Sequence, residues 1–342
     1  MREKTLRKLI TIAQACAISA AIGFAYAGAS GSEVLPFRGA VAGFLVCLFV
    51  ASFELLVVRG RLGMAITARP FIIFLLVKAT GYVVLAMLAL GVSSFLMGAL
   101  PFAPAFSADA FTAGSTSVRD ILFSLAISVV FTLTFSLNDL LGRGVLLNFL
   151  LGRYHRPREE DRIFLLIDLV GSTKAAEQLG NLRYHSFLNR FIQTVSPAIL
   201  EQGGRIHAYV GDEIIAEWPA ASGMRRGRCL RAVRDALELT RSCAPAFERD
   251  FGLAPRFRAI LHMGPVVVGE MGGAKREIVF LGGTLNTASR MEAHAKAINE
   301  TVVASRDLVE VLPVPPEARI RPLGDATLKD VARPVPLVAV DF

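Results

Sequence analysis

Apolar residues run almost unbroken through four stretches in the first half of the chain, then break into short groups. The stretches are Ile10 to Ala29, Gly39 to Val58, Phe71 to about Val92, and Ile121 to Leu141. Each is about 20 residues, and as a helix each covers the roughly 30 Å of a bilayer's hydrocarbon core. The pattern predicts an all-α polytopic transmembrane domain over residues 1–141. After Leu151 no comparable run occurs, and strand-like and helix-like periodicities take over.

From Arg162 the pattern alternates between strand and helix. Arg162 to Asp168 reads as a buried strand, and Ser172 opens a helix through about Leu179. An amphipathic helix follows from Leu182 to Glu201, closed by Gly203 and Gly204. Strands at Arg205 to Val210 and Glu213 to Trp218 join through Gly211 and Asp212. A helix from about Arg226 to Phe251, a strand at Phe257 to His262, and a hairpin through Gly264 and Pro265 into Val266 to Gly269 complete the centre. The order βαββαβ predicts a ferredoxin-like α+β domain over residues 162–342, with helices on one face of the sheet. Residues 142–161 form a juxtamembrane segment: an apolar patch, then RYHRPREED, reading as a short interfacial helix that ends before Pro157. It fits a coupling element and a plain linker equally.

Basic residues orient the membrane half, because Lys and Arg near span ends favour the cytoplasmic side. Arg2, Lys4, Arg7 and Lys8 precede the first span, Arg59, Arg61 and Arg69 lie between the second and third, and Arg143, Arg153, Arg156 and Arg158 follow the fourth. Ser30 to Arg38 and Pro101 to Asp120 hold only Arg38 and Arg119 as basic residues. Both ends of the membrane half should therefore face the cytoplasm of a bacterial-type plasma membrane. The first span, with small residues at Ala25, Ala27 and Gly28, also fits a cleaved signal peptide, and either way the second half stays cytoplasmic. The net charge of +8 is then mostly a topology signal, and nucleic acid is not an expected partner. Cys229 and Cys243 lack metal-ligand spacing. Glu54 and Lys78 fall within apolar spans and are placed to pair across the second and third, as a sensing site or a packing pair.

Asp168 and Asp212 each end a short apolar run, a position suited to acids that share a cation and a polyphosphate. Separately, each is also explained by turn chemistry. Gly171, Ser172 and Thr173 begin a helix whose free N–H groups suit phosphate, though Ser172 or Thr173 also serves as a simple N-cap. Asn286 and Arg290 sit one turn apart on a helix beginning near Thr284.

Five ordered motifs, FLLIDLVGSTKAAEQLG, YVGDEIIAEW, ILHMGPVVVGEMG, LGGTLNTASRME and LGDATLKDVARPVPLVAV, make residues 162–342 resemble the class III nucleotidyl cyclase catalytic domain. The resemblance implies an enzyme that converts ATP to cyclic AMP and pyrophosphate using two Mg²⁺ or Mn²⁺ ions. It implies that Asp168 and Asp212 bind both metals with help from the Leu169 carbonyl, that Asn286 orients the ribose, that Arg290 stabilises charge on the α-phosphate, and that Lys329 binds phosphate. The glycine that usually follows that lysine is Asp330 here. The metal ligands and the Asn/Arg pair are expected from opposite protomers, so the partner is a second copy of the chain. At the base-reading positions stand Ala208 and Val279, neither able to hydrogen-bond a purine edge, which leaves GTP open as the substrate. A catalytically inactive, nucleotide-binding membrane sensor is a further alternative. A diguanylate cyclase would want a second glycine where Val210 stands.

Overall fold

The structure, a computed structural model, describes residues 2–29, 36–54, 71–99, 126, 156–273 and 277–342. The chain divides into two compact units, Met1–Leu140 and Leu141–Phe342.

The first unit contains α1 (Arg2–Ala29), α2 (Pro36–Phe53) and α3 (Phe71–Ala99). Two stretches are long and apolar enough to cross a membrane, Ile12–Ala29 and Leu76–Ser93, while Gly39–Phe53 is a shorter apolar helix. The remainder of the expected second span, the fourth span except helical Ala126, and the juxtamembrane segment up to residue 155 lie outside the described residues. Helices α1 and α2 touch backbone to backbone. A Cβ added at Gly23 would sit 2.1 Å from the Gly39 carbonyl oxygen, and one at Gly43 would sit 2.3 Å from that of Ser19. The Ser19 hydroxyl donates to the Gly43 carbonyl at 2.8 Å. Small residues at one-turn spacing permit this approach, as they do between membrane helices.

The pairing expected of Glu54 and Lys78 is present. Lys78 Nζ lies 3.1 Å from Glu54 Oε1, and the Tyr82 hydroxyl donates to Glu54 Oε2 at 2.5 Å. All three side chains are buried. Phe53 meets Tyr82 edge-on with ring centroids 5.9 Å apart.

The second unit runs β1 (Arg158–Leu169), α4 (Ser172–Glu201), β2 (Arg205–Val210), β3 (Glu213–Pro219), α5 (Ala220–Met224), α6 (Arg228–Phe251), β4 (Phe257–Met271), β5 (Glu277–Leu281), α7 (Gly283–Ala297), β6 (Val302–Ser305), α8 (Arg306–Glu310), β7 (Arg319–Ala326) and β8 (Val335–Asp341). These strands form one sheet in the order β2-β3-β1-β4-β6-β8-β7, with β5 on β4. The βαββαβ pattern thus lies within a larger mixed α+β sheet. Ile163 to Ile167 is buried on both faces, as the unbroken apolar run of a central strand requires. Helices α4 and α6 cover one face through Phe187, Phe191, Val195, Val233 and Phe247. The expectation of helices on one face alone is corrected: on the other face Phe164, Leu166, Val268, Ala288 and Met291 form a second core under α7.

Several local expectations are corrected or refined. The hairpin at Gly264 and Pro265 is absent, and β4 passes through both residues unbroken. Pro265 falls between the segment of β4 that pairs with β6 and the one that pairs with β5, so its missing N–H removes no ladder bond on that side. The helix expected from Arg226 starts at Arg228, because Arg226 and Gly227 hold positive φ of 57° and 61°. Neither Ser172 nor Thr173 is the N-cap; Gly171 is, at φ 77° and without a side-chain cap bond. The two helices expected on either side of Gly180 form α4, bent at that residue, where φ is 69° and ψ 161°.

Candidate active site

Asp168 and Glu213 are register partners on β1 and β3, and Asp212 immediately precedes Glu213 in the turn from β2. Gly211 makes that turn, at φ 63°. α7 brings Glu292 to the same place, where its side chain hydrogen-bonds Glu213. Four carboxyl groups therefore converge, with Lys296 one turn beyond Glu292 acting in the opposite sense on Asp168. Burial, then the charges of Glu292 and Asp212, push Asp168 up to about 6. Burial followed by Glu292 pushes Glu213 up to about 7. Glu292 is raised chiefly by burial. Tyr184 of α4 faces the same acids, is raised by burial and then by Asp212, and hydrogen-bonds Ser172.

Crowded carboxyl groups with one lysine to offset them form a cation-seeking site. Glu213 Oε1 is buried without a hydrogen-bond partner, which an ion or its bound water relieves. No set of three His, Cys, Asp or Glu side chains among the described residues is arranged to hold an ion by itself. Two aspartates completed by a main-chain carbonyl and by phosphate oxygens do not require such a set, and hard cations accept that mixture. Leu169, whose carbonyl was expected to contribute, is buried on the α4 side of the sheet.

The remaining expected residues sit elsewhere. Asn286 and Arg290 are exposed on α7, and Arg290 pairs with Asp330 at 3.1 Å. Lys329 is exposed beside that aspartate. Gly171 and Thr173 are exposed at the start of α4, with Ser172 half-buried. Ala208 lies on β2 opposite Ile215, and Val279 on β5 opposite Gly269. Three strands separate β2 from β5 in the sheet, yet Phe280 reaches across the face to His207, ring centroids 4.8 Å apart. The chain neighbours of Ala208 and Val279 are therefore in contact.

Glu213, Glu292, Lys296 and Tyr184 were not expected in the site. Glu213 directly follows Asp212, and Glu292 and Lys296 are one turn apart beyond the LNTASR segment. A helical-wheel projection of α7 from Ala288 and Met291 is the signal that finds Glu292 and, one turn on, Lys296.

A profile of the family described as "Adenylate and Guanylate cyclase catalytic domain" matches residues 156–333. Over 291 residues the chain is 33% identical to "Adenylate cyclase 2" of Rhizobium meliloti (strain 1021), covering 85% of this chain and 79% of that one. It is 28% identical over 219 residues to "Adenylate cyclase 1" of the same strain, covering 62% of this chain and 30% of the relative. The solved structure of a bacterial light-regulated adenylyl cyclase superposes with a TM-score of 0.54 at 16% identity over 66% of each chain, a likeness of fold.

Proposed function

The chain belongs to the adenylate and guanylate cyclase catalytic domain family and is a class III phosphorus–oxygen lyase, and from that membership we propose that it is a membrane-anchored adenylate cyclase working as a homodimer. The observation that carries the reading is the division of α7: Glu292 faces Asp168 and Glu213 of its own protomer, while Arg290 points to solvent. One chain thus offers an acidic half-site and, separately, an Asn/Arg half-site, and a two-fold pairing completes two equivalent sites.

In the reaction the ribose 3′-hydroxyl gives up its proton to solvent, its oxygen forms a bond to the α-phosphorus of the same nucleotide, and the bond from that phosphorus to the bridging oxygen breaks, releasing pyrophosphate. Asp168 and Asp212, with the Leu169 carbonyl, are the residues to hold two Mg²⁺ or Mn²⁺ ions, which lower the hydroxyl's pKa and offset triphosphate charge when bound. The N–H groups at the start of α4, around Gly171, Ser172 and Thr173, face phosphate oxygens with the helix dipole in their favour. Asn286 of the partner protomer orients the ribose. Arg290 of the partner protomer stabilises charge on the α-phosphate, releasing Asp330 to do so. Lys329 contributes a further cation to the phosphates.

The preference for ATP is supported by the 33% identical adenylate cyclase relative. Membrane anchoring through a lipid bilayer, with the second unit cytoplasmic, is supported by Ile12–Ala29 and Leu76–Ser93 and by the placement of the basic residues. The test is incubation of the purified full-length protein with ATP or GTP and Mn²⁺, beside Asp212→Ala. Cyclic AMP lost in the variant supports the reading. Cyclic GMP as the main product reassigns the base, and nucleotide binding without product points to an inactive sensor.

A further inference from the structure

A second buried set of charges lies further back along the sheet face that carries Asp168. Arg162 is 1% exposed. Its Nη1 donates to Glu217 Oε2 at 2.5 Å and its Nη2 to Glu160 Oε2 at 2.6 Å. Glu217 is itself buried, with Arg205 of β2 at 3.9 Å from its other oxygen. The Arg162 guanidinium carbon also lies 5.5 Å from the centre of the Phe280 ring. Phe280 in turn meets Phe164 edge-on at 5.4 Å and His207 at 4.8 Å.

Neutralising Glu217 needs only one of these contacts. The full set joins four strands: β1, which ends in Asp168 and Leu169; β2, which carries Arg205 and His207; β3, which begins one residue after Asp212; and β5, which leads through Gly282 into α7. The ladder of β5 is with β4. Phe280 supplies its recorded contacts with β1 and β2, and the guanidinium packs against that ring. A planar, permanently charged group that bonds two carboxylates and lies by a ring fixes direction as well as charge, which a lysine does not.

We propose that Arg162 is a positioning residue for the cyclisation reaction: it holds the β5–α7 segment, which carries Asn286 and Arg290, in fixed relation to the strand pair that presents Asp168 and Asp212. The proposal rests on the roles given to those four residues above. Arg162 touches no reacting atom and acts through Phe280 and Glu217.

The test uses the full-length enzyme. Arg162→Met alone leaves the Glu217 carboxylate buried with its main partner gone, so the informative variant is Arg162→Met with Glu217→Met, which removes both charges at similar volume. Trp218, the single tryptophan and fully buried, reports folding of this unit by fluorescence. The double variant is expected to melt within about 3 °C of wild type. Its kcat is expected to fall about tenfold or more, with KM changed by less than about twofold. Wild-type kcat in the folded double variant overturns the proposal. Phe280→Leu removes the ring but keeps the position apolar and both ion pairs in place; a comparable fall in kcat supports the proposal, and unchanged kcat overturns it even where the double variant does not fold. A wild-type enzyme that forms no cyclic nucleotide instead overturns the functional reading itself.

Discussion

Arg290 and Glu292 stand two residues apart on α7 and project about 160° from one another around the helix. Glu292 joins the acids of its own protomer, while Arg290 meets only the exposed Asp330 among its recorded ion pairs. A single copy of the chain therefore holds the two chemical halves apart.

Complementation follows from that separation. Asp168→Ala and Arg290→Ala chains, each expected to lose about 10²-fold or more in kcat as homodimers, should regain activity when mixed, because one of the two sites in a mixed dimer is intact. Product formation in demonstrated mixed dimers checks this, with about half the wild-type rate per dimer as the ceiling.

The acid cluster sets a pH dependence of known sign. Glu213 titrates at about 7 in the folded chain, against about 4.3 for an unperturbed glutamate. Between those values the folded state binds the extra proton, so this group's contribution to stability falls as pH rises and is fully lost above about pH 7. His262, lowered to about 4 by burial, works in the opposite direction over part of that range. Comparison with Glu213→Gln cancels it. In metal-free protein the melting midpoint of Glu213→Gln, read by Trp218 fluorescence, should gain several degrees on wild type between pH 4.5 and pH 7.5. A difference independent of pH contradicts the account.

Divalent cations should reverse the same penalty. At pH 7.5, Mn²⁺ should raise the midpoint of wild type and leave that of Asp168→Asn with Asp212→Asn nearly unchanged, since binding to the folded state alone stabilises it. Calorimetry on the protein without nucleotide provides the measurement.

In the first unit, Lys78→Glu places two buried carboxyl groups together and should lower the thermal stability of the helices, the loss of one partner of a buried pair commonly costing about 3–5 kcal/mol. Glu54→Lys combined with Lys78→Glu should recover most of the loss. Melting followed by circular dichroism in detergent distinguishes the outcomes, and equal instability of the single and double variants rejects an interhelical clamp.

The positions proposed to read the base offer a gain-of-specificity test. Ala208→Lys with Val279→Asp supplies hydrogen-bonding groups where the chain has none, and kcat/KM for ATP over GTP should rise by about tenfold or more. Parallel assays with the two nucleotides read the ratio.

Much of this was legible before the coordinates. The segment Arg162 to Asp168 was legible as a buried strand, and Asp168 and Asp212 stood at strand ends where the sheet brings them together. The Glu54–Lys78 pair was legible because ionised groups in an apolar span require partners. Gly264 and Pro265 misled, since local turn chemistry says nothing about which strands flank a residue, and here a gap between two ladders tolerates the proline. Glu292 was hidden for a related reason: its role depends on which face of α7 the sheet covers. Arg162 opened a strand read as buried, but its partner was not legible, because Glu217 lies far along the chain and is adjacent only after β1 and β3 pair.

The glycine contact between α1 and α2 carries a thermodynamic consequence. Where Gly23 meets Gly39 and Gly43 meets Ser19, little side chain has to be immobilised, so the association sacrifices very little rotamer entropy. Heating penalises ordered side chains in proportion to the freedom they have lost. These two helices should therefore stay together at temperatures where contacts built from Leu, Met or Phe have begun to loosen.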